Sequence, residues 1–144
     1  MDQGSRQAST ARRREHARQL MDRRKLFFRA DFVESKARAL FPDDTASTVL
    51  QILSEYQAPS EVLSAQARLA ALKLSNGDLK ELRIQIHKAK QDFRDVILPA
   101  ESPGFLRMAM SEWAALSDDA HEKLANEDHE QYMTWIQQNE DASS

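Results

Sequence analysis

The chain has 144 residues, of which 41% are hydrophobic and 30% charged, with a formal net charge of -3. That is one domain's length with enough apolar side chains for a real core, while three Gly and four Pro are too few for the turns of a β-sandwich. The lack of Cys excludes disulfides and thiolate chemistry and fits a reducing compartment, and no apolar run nears the roughly 20 residues of a membrane span.

The charge is unevenly spread. Residues 1–40 hold eleven Lys/Arg against five Asp/Glu, a net +6, whereas residues 41–144 carry a net -9, of which -8 lies in 111–144. Such a split points to a basic arm that acts on a partner, or to contact between the two ends of the chain. The arginine-rich start has no apolar h-region, so it is not a secretory signal, and Asp2 and Glu15 argue against an organellar transit peptide.

Residues 1–15 are polar and bury nothing, which predicts a disordered basic arm. From about Ala17 the spacing of Leu26, Ala30, Val33, Ala37 and Leu40 puts them on one helix face, with Phe28 and Phe32 on a neighbouring stripe; Pro42 stops the element. Asp43 or Asp44 then caps a helix whose apolar face is Val49, Ile52, Leu53 and Tyr56, ended by Pro59. Ser60 caps the next, from Glu61 to Ser75, which is apolar over a wide arc and so expects neighbours on two sides.

Asn76-Gly77 is a left-handed stop, and Asp78 with Glu81 three residues later reads as the cap of another helix. Leu79, Leu82, Ile86, Ala89, Phe93 and Val96 follow at steps of three and four, a heptad-like seam. So short a connection predicts an antiparallel helical hairpin at about 60–98. Leu98-Pro99 ends it. Ser102-Pro103 starts a fifth helix with Phe105, Leu106, Ala109, Met110, Trp113 and Leu116, and Ser117 caps a sixth with Leu124, Tyr132, Met133, Trp135 and Ile136. The fold class is therefore all-α: a five- to six-helix domain over 16–139 around the hairpin, with a loose tail at 140–144.

Over L-A-A-L-K-L-S-N-G-D-L-K-E-L-R-I-Q-I-H-K-A-K-Q-D-F-R-D-V-I the chain resembles small bacterial helical-hairpin proteins of unassigned role. Their core joins an apolar helix, a Gly-Asp turn and a helix ending in a pattern that is here Lys90, Asp92, Phe93, Arg94, Asp95 and Val96. The resemblance implies a bacterial, cytoplasmic protein and brings no catalytic residues.

Candidate chemistry is sparse. Asp118, His121, Asp128 and His129 make the best metal pattern among the residues around the four His, but there is no HExxH and no pair of Glu-x-x-His motifs, so a charged surface helix explains them. Glycines at 4, 77 and 104 make no phosphate loop, and no Gly-x-Ser-x-Gly elbow is present. No catalytic, cofactor or metal residue is assigned, and no small-molecule ligand is expected.

The expectation is a non-enzymatic interaction or regulatory protein that meets a protein partner or a second copy of itself. Arg12, Arg13, Arg14, Arg18, Arg23, Arg24 and Lys25 would steer that contact, and Leu26, Phe28, Phe32, Ile84 and Ile97 would supply its apolar surface. The alternative is nucleic-acid binding through the arm, whose cation density suits phosphate and whose Phe27 and Phe28 suit base stacking. A membrane-surface role is set aside because the acidic remainder repels anionic lipid.

Overall fold

The computed structural model describes residues 2–138, with side chains from Ala8 onward. Every regular element among them is helical: α1 (Asp2–Lys25), α2 (Ala30–Leu40), a 3₁₀ turn (Asp43–Thr45), α3 (Ala46–Ser54), α4 (Glu61–Ser75), α5 (Leu79–Gln91), α6 (Arg94–Glu101), α7 (Pro103–Leu106), α8 (Met110–Ala114) and α9 (Asp118–Gln137). None of these helices is long and apolar enough to cross a membrane. Nine α-helices stand where five or six were expected, because three expected helices are broken. The expected loose tail at 140–144 lies outside the described residues.

A disordered basic arm is the expectation for residues 1–15. Residues 2–15 are helical, as the start of α1. Their cations are not left to repel one another; several find carboxylates on α9, as set out below. The continuous helix expected from Ala17 to Leu40 breaks at Leu26–Arg29 without any Pro or Gly. Breaking there turns Phe28 into the core at 3% exposure, and Phe27 meets Phe32 edge-on at 5.1 Å between ring centroids. Burying an aromatic contributes about 1.5–3 kcal/mol, and the helical bonds given up are partly replaced by turn bonds from Phe27 N to the Arg24 carbonyl and from Phe28 N to the Lys25 carbonyl, each 3.0 Å. Arg29 closes the corner, donating from Nη1 to the Leu26 carbonyl at 2.6 Å and from Nε to Asp31 at 3.0 Å.

Asp43 and Asp44 do not cap α3; they sit in the 3₁₀ turn, which Thr45 closes by donating its hydroxyl to the Pro42 carbonyl. Ser60, by contrast, caps α4 through Leu63 N, Asn76 and Gly77 take the left-handed φ values of 51° and 78°, and Asp78 caps α5 through Glu81 N. The reciprocal half of that capping box is absent: the Glu81 carboxylate accepts from Gln85. Within α4, Ala65, Ala67, Leu69, Ala70, Ala71 and Leu72 are all at most 2% exposed. Their small side chains allow close approach, and α2, α5 and α6 all pack on this helix.

The seam read from Leu79 to Val96 is cut at Asp92. That residue is extended, and its carboxylate accepts from the Arg94 N–H and pairs with the Arg94 guanidinium. Phe93 is thereby turned outward, at 38% exposure, while Val96 becomes fully buried on the new helix α6. Pro99 does not end this helix but lies inside it. The expected fifth helix splits into α7 and α8, and Met110, read as part of its apolar face, is 70% exposed.

Candidate functional site in the cleft between the first and last helices

α1 is polar nearly all round, yet it lies along α9. Arg12 donates from Nε to Glu122 at 2.8 Å and reaches Asp119 at 3.3 Å. Arg13 approaches Asp118 at 3.6 Å and donates from Nη1 to His121 Nδ1 at 3.3 Å. His16 bonds Asn126 at 2.8 Å, and Arg24 donates from Nη1 to His129 Nδ1 at 3.0 Å. The partners advance together in number along both helices, so α1 and α9 run parallel. Ser117 caps α9 through Ala120 N, and Asp118 and Asp119 in its first turn suit the positive end of that helix. Arg13 and Ser9 hold the Asp118 carboxyl below its ordinary range, the Ser9 hydrogen bond being the larger cause.

At its C-terminal end α1 sends one charge inside. Arg24 Nε donates to Glu101 Oε1 at 2.9 Å, and Gln66 on α4 donates to Oε2 at 2.9 Å. The two charged side chains are 13% and 3% exposed, so this is a buried ion pair. Burial pushes the Glu101 carboxyl up, against the opposing pull of Gln66 and Arg24. Tyr132 beside it is fully buried with a hydroxyl that has no hydrogen-bond partner among the described residues, and burial, then the Glu101 charge, drives that hydroxyl well above its ordinary pKa. His129 is pushed down, first by burial and then by Arg24.

The roof comes from α7 and α8. The carboxylate of Asp128 on α9 accepts from Gly104 N at 2.8 Å and Phe105 N at 3.1 Å, replacing the cap expected from Ser102, whose side chain makes none. A Cβ at position 104 would stand 2.7 Å from Asp128 Oδ1, so glycine is what lets the two approach. Phe105 meets Trp113 edge-on at 5.9 Å, and Trp113 lies 4.4 Å from the His121 ring. His121 Nε2 bonds the Trp113 carbonyl at 2.8 Å, and the Arg13 guanidinium lies 6.0 Å from the Trp113 ring centroid.

Between these parts is a cavity of about 250 Å³, whose lining includes Leu20, Phe105, Trp113 and Leu124 with Arg13 and His129 on its polar side. Aromatic and aliphatic walls with a few convergent polar groups are the ordinary makings of a binding site.

The site residues read from sequence do not form one surface. Arg12, Arg13 and Arg24 face α9 and α6. Arg14, Arg23 and Lys25 are exposed and have no ion-pair partner among the described residues, while Arg18 is exposed and pairs with Glu15 and Asp22 on its own helix. Phe28 and Phe32, expected at a contact surface, are core residues at 3% and 8% exposure, because the break after α1 turns them inward. Ile97 is partly buried against the core; Ile84 and Leu26 remain open at 40% and 67%.

Sequence reading missed Glu101, Gln66, Trp113 and Tyr132 as a group, since their partners lie far along the chain. Asp128 and His129, expected on a charged surface helix, are buried at 7% and 4% exposure, because α1, α6 and α7 cover that side of α9. Among the described residues no group of three or more His, Cys, Asp or Glu is placed to hold a metal ion. No family model, no curated protein and no solved structure matches this chain.

Proposed function

We propose that the protein is a small non-enzymatic interaction module of the bacterial cytoplasm, which docks a protein partner of acidic surface on the outer face of α1. The chemistry of that face supports the reading. At 100° per residue Arg14, Arg18 and Lys25 fall within about 40° of one another, in a stripe about 16 Å long. Its cations differ from those facing α9: Arg14 and Lys25 are exposed and without ion-pair partners among the described residues. Leu26, 67% exposed, stands at its end and adds an apolar anchor. The hairpin read at about 60–98 serves in this proposal as the scaffold that holds the face.

The observation that carries the proposal is this division of cations: Arg12, Arg13 and Arg24 meet carboxylates on α9 and α6, while Arg14 and Lys25 have no ion-pair partner among the described residues. A second copy has the required chemistry, since Asp119, Glu127 and Glu130 are exposed on α9. Phosphate would also suit the stripe, but the stacking residue Phe28 is 3% exposed and turned inward, which favours protein over nucleic acid.

Light scattering of the purified protein, wild type against Arg14→Glu/Lys25→Glu, tests self-association; co-purification from cells with the same pair tests a different acidic protein. The expected result is a complex, homomeric or heteromeric, that the double reversal weakens at least tenfold. A monomer that retains no acidic protein but binds a random oligonucleotide with a steep salt dependence overturns the reading in favour of nucleic acid.

A further inference from the structure

The α1–α9 cavity carries a second inference, independent of the outer face of α1. Its polar groups can be accounted for one by one. The acceptors are engaged: Glu101 takes Arg24 and Gln66, Glu122 takes Arg12, and Asp128 takes the Gly104 and Phe105 N–H groups. The donors are not. Arg13 Nε is buried without a hydrogen-bond partner, its nearest carboxylate being 3.6 Å away. His129 accepts through Nδ1 from Arg24, and a guanidinium only donates, so the imidazole proton sits on Nε2. That N–H has no protein acceptor among the described residues. Both residues line the cavity, as do Leu20, Phe105, Trp113 and Leu124.

Of the two, Arg13 Nε is the buried atom, and a buried donor without an acceptor costs free energy unless something supplies the missing oxygen. Here the missing partner is an acceptor; Leu20, Phe105, Trp113 and Leu124 form the apolar part of the wall, and the carboxylates that also line it, Glu101, Glu122 and Asp128, are each held by donors of the protein. A cavity of about 250 Å³ falls just under the roughly 300–1,000 Å³ of drug-sized sites, so one or two fused rings fit it. We infer that the cleft between α1, α7, α8 and α9 binds a small aromatic carboxylate, its ring against Phe105, Trp113 and Leu20 and its carboxylate taking hydrogen bonds from Arg13 and His129. The guanidinium adds charge assistance, which roughly doubles the strength of such a bond over a neutral one.

The test is calorimetric titration of the full chain with 1-naphthoate, its neutral relative 1-naphthamide, and acetate. 1-Naphthoate is expected to bind with 1:1 saturation and to shift the Trp113 indole N–H resonance, identified by its loss in Trp113→Phe. The amide should bind at least tenfold more weakly and acetate not measurably. Arg13→Gln should weaken 1-naphthoate about tenfold, and Ala125→Phe, which fills the cavity, should abolish binding at an unchanged melting temperature. Should Ala125→Phe fail to fold, Arg13→Gln and the indole resonance still decide. No saturable binding of 1-naphthoate, or binding that neither Arg13→Gln nor the Trp113 resonance registers, overturns the inference.

Discussion

Glu101 holds a negative charge where water cannot reach it, and its neighbours divide the task of making that tolerable. Arg24 and Gln66 each give one oxygen a donor at 2.9 Å. Removing one member of a buried pair strands the other, at a typical cost of about 3–5 kcal/mol, whereas replacing both with apolar groups is often neutral. Arg24→Met should therefore lose about 3 kcal/mol in urea unfolding, and Arg24→Met/Glu101→Leu should recover most of it. His129 gives a prediction in pH. Its folded-state pKa lies below the ordinary value of about 6.5, so the unfolded chain takes up the proton first as pH falls. The stability that neutral His129 contributes is complete above that value and drains away below it. Glu101 acts in the opposite sense: its carboxyl is raised, so stability is gained as pH falls through its titration. Between about pH 7 and pH 5 the wild type should lose more stability than His129→Gln, measured by urea midpoint at each pH. None of this was legible in the sequence, because Glu101 stands 77 residues from Arg24 and looks like an ordinary polar residue before Ser-Pro.

At the scale of elements, what could be read was local. Ser60, Asp78 and Ser117 cap the helices that follow them, because each needs only a side-chain oxygen three residues before an N–H. The breaks at Leu26–Arg29 and Asp92–Phe93 have no Pro or Gly to announce them; the first turns Phe28 into the core, and the second goes with the Asp92–Arg94 pairing. Two helix ends are closed by cations from elsewhere. Arg68 on α4 donates to the Leu53 and Tyr56 carbonyls after α3. Lys36 on α2, only 3% exposed, donates to the Trp135, Ile136 and Gln138 carbonyls at the end of α9 and lies 4.5 Å from the Trp135 ring. An ammonium there suits the negative end of the helix. Lys36→Met should cost about 2 kcal/mol and should speed amide hydrogen exchange in the last turn of α9 before it affects α4.

Across the whole molecule, the basic start and acidic end do meet, as one of the two readings of the charge split anticipated. They meet unevenly. The Arg12 contacts are open to solvent, with side chains 54% and 94% exposed in the Arg12–Asp119 pair, while the Arg24 end is enclosed. Salt screens the first and hardly touches the second. Raising salt from about 0.05 M to about 0.5 M should increase hydrogen exchange in the first half of α1 and leave the turn around Arg24 protected; uniform behaviour along the helix would contradict this division. The all-α class was legible from the periodicity and the shortage of turn residues. The cleft was not, since it needs α1 laid against α9, where Arg12 and Glu122 meet from 110 positions apart.

The docking of α1 on α9 joins two helices that leave the ribosome far apart in time. Arg12 waits for a partner 110 positions further on; at roughly 5–20 residues per second that is an interval of about 5–20 s. Throughout it the nascent polypeptide carries an unclaimed cationic rod, open to chaperones, to ribosomal RNA and to proteases. The clasp is thus also a timer, and the emergence of α9 is what withdraws those arginines from circulation.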